Sequence, residues 1–202
     1  MHVQSSLRGI IVHQSDKKVT IAFVQPSNLI LLVPSLKLKD GFLRMAAEFQ
    51  DEGIIYSHHE RARSDFDAFL EEMRGYARGL NLPADHVPWT NFCLVRKDEG
   101  GDTILGESRL RHYLSPALEV EGGHIGYAIR PSARRQGYGT RILALTLEKA
   151  RDRGLRRVLV TCDADNFASR RIIEKNGGML SGQAISPRTG VPVLQYWIEL
   201  PD

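Results

Sequence analysis

The stretch that decides how this chain folds runs Ile129-Arg130-Pro131-Ser132-Ala133-Arg134-Arg135-Gln136-Gly137-Tyr138-Gly139-Thr140. A strand-like run, His124 to Arg130, leads into it and stops at Pro131. Beyond it Leu143, Leu147 and Ala150 recur at helical spacing until Gly154. The segment is therefore a turn from a strand into a helix. Gly137 and Gly139 carry no Cβ where the first helical turn presents unpaired N–H groups. Those donors and the positive helix end make an anion site suited to a diphosphate, with Arg134 and Arg135 at its rim. The GxxxxGK[ST] loop of nucleoside-triphosphate hydrolases is absent. GxGxxG also fails, because Ile142 stands three residues past Gly139. What remains is Arg-x-x-Gly-x-Gly, at Arg134, Gly137 and Gly139. The bland alternative is a helix start that happens to contain glycine.

The charge pattern points the same way. Arg130 to Arg157 holds nine basic residues against Glu148 and Asp152, in a 202-residue chain of net charge only +3. The remainder is mildly acidic, so the block suggests one local anionic ligand. So small a total surplus argues against a chain built mainly around a nucleic-acid backbone. A nucleic-acid-binding use of the block is the weaker alternative, since no aromatic platform or recognition helix accompanies it. No apolar run reaches the ~18 residues of a membrane span. Met1 to Thr20 lacks the features of a secretory signal. Cys93 and Cys162 alone make neither a disulfide framework nor a zinc site. A cytoplasmic protein without metal, nucleic acid or membrane partners is expected.

Outward from the turn, the pattern predicts a mixed α/β fold. Gly9–Val12 and Val19–Val24 suggest a hairpin in an N-terminal extension, residues 1–27. Residues 28–202 read as a single domain. Leu29 to Val33 is a buried strand ended by Pro34. Asp40 is placed to cap a helix with Phe42, Met45, Ala46 and Phe49 on one face, and Ser64 with Asp67 suggests a capping box before Phe66, Phe69, Leu70 and Met73. Phe92–Arg96, Thr103–Leu114 and His124–Arg130 form an antiparallel meander, with Gly106 a candidate bulge. Helix Tyr138–Asp152, strand Arg157–Thr161, helix Phe167–Lys175 and strands Met179–Ile185 and Val193–Leu200 follow. The sheet is expected to be mostly antiparallel, with a parallel strand–helix–strand unit at 124–161.

A second segment joins the first one strand later: Asn166-Phe167-Ala168-Ser169, then Lys175-Asn176-Gly177. Together the two segments resemble the GNAT superfamily of acetyl-CoA-dependent N-acetyltransferases, in an uncharacterised bacterial subgroup. There, an apolar strand and a Pro precede [Gln/Arg]-x-x-Gly-x-[Gly/Ala] at a helix start. The likeness covers about 170 residues by element order and some 55 by motif. It implies the GNAT acyl-CoA N-acyltransferase fold. It also implies that the acetyl-CoA diphosphate rests on backbone N–H groups of Gln136, Gly137, Tyr138, Gly139 and Thr140, beside Arg134 and Arg135. The pantetheine arm would lie along Tyr127, Ala128 and Ile129 as an extra strand. Asn166 and Ser169 would approach the arm or the attacking region; each is equally read as an ordinary first-turn residue, Asn166 as a helix cap.

The implied reaction is acetyl transfer to a primary amine by direct attack without a covalent enzyme intermediate; the resemblance supplies no acceptor, and a small primary amine or amino-acid-like molecule is expected, with a protein N-terminus or lysine as the alternative. It needs a held donor, a polarised carbonyl and a deprotonated amine. One departure stands out. Many relatives place a tyrosine acid where this chain has Ile173, so Tyr113, Tyr127, Tyr196, Ser169 or water is left for that role. A catalytically weak acetyl-CoA-binding sensor is therefore a second reading. Base candidates are His124 and Glu107, against a backbone-bonded histidine and an exposed strand carboxylate. His58 and His59 read as a surface loop rather than metal ligands, and Cys162 as a buried structural thiol. The acceptor side is expected from the two N-terminal helices, the His112–Glu121 loop and the hairpin around Arg188. An acidic lip on those helices would favour an amine. A homodimer is left open.

Overall fold

The computed structural model describes residues 28–201. The expected hairpin in residues 1–27 lies outside them. The order is β1 (Leu29–Leu32), α1 (Lys39–Asp51), α2 (Ser57–Ser64), α3 (Phe66–Ala77), β2 (Trp89–Asp98), β3 (Gly101–Arg111), α4 (Pro116–Val120) and β4 (Ile125–Ile129). Then come α5 (Tyr138–Asp152), β5 (Arg157–Asp163), α6 (Phe167–Lys175), β6 (Met179–Ile185) and β7 (Pro192–Glu199).

Strands β1-β2-β3-β4 form one antiparallel sheet in that order, and β5-β7-β6 form a second. Both faces of the first sheet are covered, so Phe92-Cys93-Leu94-Val95 reads as a continuous apolar run instead of alternating. Cys93, Val95 and Ile104 pack beneath α1–α3, with Phe42, Phe49 and Phe69. Leu94 and Leu105 pack with Ile142 and Leu145 of α5. Each of those fully buried phenylalanines contributes about 2–3 kcal/mol by transfer out of water. The β2–β3 register shifts between Leu94 and Val95, whose partners are Gly106 and Ile104. The bulged residue is thus Leu105, next to the glycine expected there.

Three local expectations need correction. The parallel strand–helix–strand pair is not a ladder: β4 and β5 edge different sheets. They are joined by one main-chain bond, His124 N–H to Leu159 O, 2.7 Å. Gly123 permits this approach, because a Cβ there would sit 2.4 Å from the Leu159 carbonyl oxygen. Asp40 does not cap α1; the cap position is Leu38, without a side-chain bond, and Asp40 lies in the first turn. Ser64 ends α2 rather than starting α3. Asp65 caps α3 instead, accepting from the Ala68 N–H at 3.0 Å. An acidic side chain one residue later takes the capping role and satisfies an orphan donor of the first turn.

Candidate active site

The glycine turn and the second segment sit where the two sheets part. Arg135 (φ 62°) and Gly137 (φ 85°) both adopt left-handed backbone, and Gly137 is the N-cap of α5 with no side chain to bond the helix end. The N–H groups of Tyr138, Gly139 and Thr140 have no preceding turn to donate to, so they face outward as a set. Gly139 has a second role. A Cβ there would lie 2.5 Å from Ile172 Cδ1, so glycine lets α5 approach α6. The arginines divide. Arg134 bonds Glu52 (2.7 Å) and the Ile129 carbonyl (3.2 Å), and Arg130 is clamped by Glu48. Ser132 N–H and Oγ also donate to Glu48, at 3.1 Å each. Two of the nine basic residues are therefore paired by Glu48 of α1 and Glu52 just past its end. Gln136 folds back onto the Ser132 carbonyl, 3.2 Å away.

Strand β4 is the open edge of its sheet. Arg130 N–H donates to Leu105 O, so alternation turns Ala128 toward β3 and leaves the main-chain groups of Tyr127 and Ile129 facing outward. Tyr127 Oη lies 2.9 Å from Ser169 Oγ. Burial raises the Tyr127 pKa to about 12, against a lowering by Ser169. Asn166 caps α6, its Oδ1 accepting from Ser169 N–H at 2.9 Å. Ile173 is fully buried in the core, and Tyr196 is buried too, while Tyr113 is exposed.

A cavity of about 650 Å³ opens on the other side of the sheet. Its floor is the face of β3 and β4 that carries Glu107, Arg109, Ala128 and Gly126; α2 and the segment before it supply Tyr56 and His58; Arg188 reaches in from the β6–β7 turn. The His112–Glu121 loop does not line it, contrary to expectation. The acidic lip is also corrected. Glu48, Glu52, Glu71 and Glu72 pair with Arg130, Arg134, Arg74 and Arg61. The cavity itself carries one carboxylate, Glu107, and three arginines, Arg109, Arg111 and Arg188.

His58 and His59 are the other correction. They lie on α2 rather than a surface loop, and the His59 side chain is 1% exposed. Both reach Glu107: His58 Nε2 is 3.0 and 3.1 Å from its two oxygens, and His59 Nε2 is 3.1 Å from Oε1. Burial would raise the Glu107 pKa, but the two rings outweigh it and hold the carboxyl well below its ordinary range. Three ligand-type atoms here lie within 4.8 Å of one another, so a cation would have converging donors. The tautomers argue for hydrogen bonds instead. His59 Nδ1 is buried with no partner among the described residues. Metal ligation through Nε2 would place a proton on that orphan nitrogen, the more costly arrangement. Nε2 of each ring faces the carboxylate, and His58 Nδ1 has no hydrogen-bond partner among the described residues, on a ring that lines the cavity.

His124 behaves differently. Its Nδ1 accepts from Leu159 N–H at 2.9 Å, and its ring lies against Trp197. Burial, with Arg111 and Arg157 nearby, lowers its pKa to about 4. It stitches β4 to β5. Composition hid His58 because the inward face of α2 is written in His59 and Ala62, which no hydrophobic periodicity reveals.

A model of the acetyltransferase (GNAT) domain matches residues 30–179. The chain belongs to the GNAT acetyltransferase family. Solved GNAT structures share its fold at low identity. RimL, a ribosomal L7/L12 alpha-N-protein acetyltransferase in complex with coenzyme A, is 16% identical, with TM-score 0.62 over 88% of this chain and 96% of that one. Mycobacterium smegmatis RimJ, with a CoA disulfide, is 17% identical at TM-score 0.62 over 86% of this chain and 84% of that one. The microcin C7 self-immunity acetyltransferase MccE, with acetyl-CoA and AMP, is 17% identical at TM-score 0.61 over 88% and 98%. No curated protein matches by sequence. Among the described residues no helix of this GNAT protein is long and apolar enough to cross a membrane.

Proposed function

We propose that this enzyme moves the acetyl group of acetyl-CoA directly onto a primary amine of a small molecule. The observation that carries the reading is a free imidazole nitrogen, His58 Nδ1, backed by the buried Glu107 carboxylate directly across from Ala128 of the open strand β4. In this reading the diphosphate rests on the N–H groups of Gln136 to Thr140, and Arg135 adds charge beside it. The pantetheine arm pairs with the outward groups of Tyr127 and Ile129, one of which also donates to the thioester carbonyl oxygen.

His58 Nδ1 takes the proton from the incoming ammonium, and Glu107 stabilises the imidazolium through Nε2. The amine nitrogen then bonds the acetyl carbon. The C–S bond breaks, the thiolate leaves, and the new amide nitrogen passes its second proton through water to that thiolate, while His58 returns the first to solvent. Net products are the amide, the free thiol and one proton. Tyr127 does not serve as a full acid: passing a proton from a phenol at about 12 to a thiolate near 8.5 is uphill by about 5 kcal/mol. The Tyr127–Ser169 hydroxyl pair instead donates a hydrogen bond to the thiolate, which water protonates. Ser169 thus keeps a catalytic role and Glu107 becomes the partner of the base. His124 is given no part in the chemistry.

The test is thiol release from acetyl-CoA with and without a panel of primary amines. Amine-dependent release with acetylated product supports the reading. Coenzyme A binding without release under any amine would favour the sensor instead.

A further inference from the structure

We propose that the acceptor amine carries its own anionic group, a carboxylate or phosphonate a few bonds away, and that Arg109 is the residue that binds it. This rests on the acetyl-transfer reading above and names the substrate class.

Strand alternation places Glu107, Arg109 and Arg111 on one face of β3. Cross-strand register sets Glu107 beside Ala128, and Arg109 beside Gly126. The floor of the cavity therefore has two stations about 7 Å apart, two residues along the strand. One holds the His58–Glu107 dyad, the other a guanidinium. A Cβ on Gly126 would meet nothing within 4 Å, so the floor at the second station is open.

The three arginines of the cavity differ in what already occupies them. Arg111 donates to the carbonyls of Gly122 (2.8 Å) and Gly123 (3.0 Å), and braces the bend before β4. Arg188 is exposed and paired with Glu121 at 2.6 Å. Arg109 has one long bond, Nε to Asn91 Oδ1 at 3.4 Å, and lies over the Trp89 ring, 5.0 Å from its centroid. Neither terminal nitrogen has a protein acceptor among the described residues. The one carboxylate on this face, Glu107, is already engaged by two imidazoles. A half-buried guanidinium over an aromatic ring, lining a cavity with its two terminal donors unpaired, is suited to take two oxygens of one anion in a bidentate pair. The ring beneath holds it in place in advance, which lowers the cost of ordering it on binding.

The two stations then fit one molecule, its amine over Ala128 and its anion over Gly126. The cavity size is within the ~300–1,000 Å³ of small-ligand sites. A second charge so close to the reacting nitrogen is a property of amino acids and aminophosphonates. A peptide N-terminus has none there unless its first side chain is acidic.

The test uses the full chain, acetyl-CoA and matched acceptors: an α-amino acid and its carboxamide, an aminoalkylphosphonate and its diester, and a peptide with neutral first residues. The expected result is at least a tenfold higher kcat/KM for each anion than for its neutral partner. In Arg109→Met that ratio falls toward one, and in Arg109→Lys it recovers in part. The carboxylate and phosphonate arms show which anion is preferred. A second readout needs no turnover. In Trp197→Phe protein, Trp89 fluorescence should change saturably with the amino acid and not with its amide, and Arg109→Met should abolish the change. Equal use of amides or neutral peptides, or an unchanged ratio in Arg109→Met, would overturn the proposal. If no amine releases thiol, the acetyl-transfer reading fails. The Trp89 titration still decides the subsite, a flat response overturning it.

Discussion

Glu107→Gln is the most informative single substitution. It keeps the shape of the side chain and removes the charge that two imidazoles share. A carboxamide keeps an accepting oxygen at the Oε1 position, 3.1 Å from both rings, but sets a donating NH₂ 3.0 Å from His58 Nε2, so the His58 N–H loses its Oε2 acceptor and faces a donor. Moving a proton to His59 Nδ1 would bury an unsatisfied donor, a cost of about 1–3 kcal/mol. His59 therefore keeps Nε2–H and takes the amide oxygen. His58 must then accept from the amide NH₂ at Nε2 and carry its proton on Nδ1. The lone pair that accepts the substrate proton disappears. We expect a fall in kcat of about 10²- to 10⁴-fold, the usual worth of a general base. Coenzyme A affinity should not change, since the diphosphate is held elsewhere. The lost charged hydrogen bond should cost about 1–2 kcal/mol of stability, a few degrees in Tm for a chain of this size. The Glu107 pKa is lowered on folding, so that stability gap should be full above pH ~4.5 and close as pH falls. Above the pKa of the amine itself, roughly 10 for an alkylamine, where it is largely neutral without help, the rate deficit should shrink. Thiol release across pH and a thermal melt measure all of this. A folded variant within threefold of the parent rate at neutral pH would refute the base assignment.

Three further outcomes follow from other contacts. Glu48 is held to a pKa of about 2 by Arg130, opposed by partial burial and aided by Ser132. Glu48→Gln should cost about 1–2 kcal/mol at pH 7 after allowance for screening; chemical denaturation at several pH values should show the loss vanish as pH falls from about 4.5 toward 2. His124, neutral and buried, has its pKa lowered from 6.5 to about 4, so the unfolded chain binds its proton first. Stability should fall as pH drops from about 6.5 to 4, by up to ~3 kcal/mol from this group, and a His124→Gln variant should show a flatter profile over that window. Gly139→Ala should cost about 1–3 kcal/mol by overpacking against Ile172 Cδ1. Ile172→Val removes that atom, so melts of the double variant should recover much of the loss; simple additivity would exclude the contact as its cause.

The helices α5 and α6 and strand β6 were legible to the residue, because α5 and α6 begin at turn signals, have apolar faces of helical period and end at glycine-marked turns. The proposed cofactor side draws on contiguous backbone, Arg134 to Thr140 and Asn166 to Ser169, which a sequence displays directly. The cavity on the other face of the sheet does not: it is assembled from β3, β4 and α2, and its His58–Glu107 pair is 49 residues apart. Helix α2 has histidine and alanine where a core face usually has leucine, so its burial left no apolar signature. The acidic residues of α1 suggested an amine-attracting lip because sequence gives charge but not partners. The fold spends them on Arg130 and Arg134. His124 had a plausible pKa for catalysis as a free residue. Its actual role followed from the close approach of Gly123 to Leu159, which only the packing of two sheets creates.

If the amides opening α5 grip the diphosphate of coenzyme A, titrating ¹⁵N-labelled protein with coenzyme A and, separately, with pantetheine should separate the two halves of the ligand. The N–H resonances of Gly137, Tyr138, Gly139 and Thr140 should move most with coenzyme A and stay in place with pantetheine. Saturable coenzyme A binding that leaves those four resonances where they were would contradict that placement of the diphosphate.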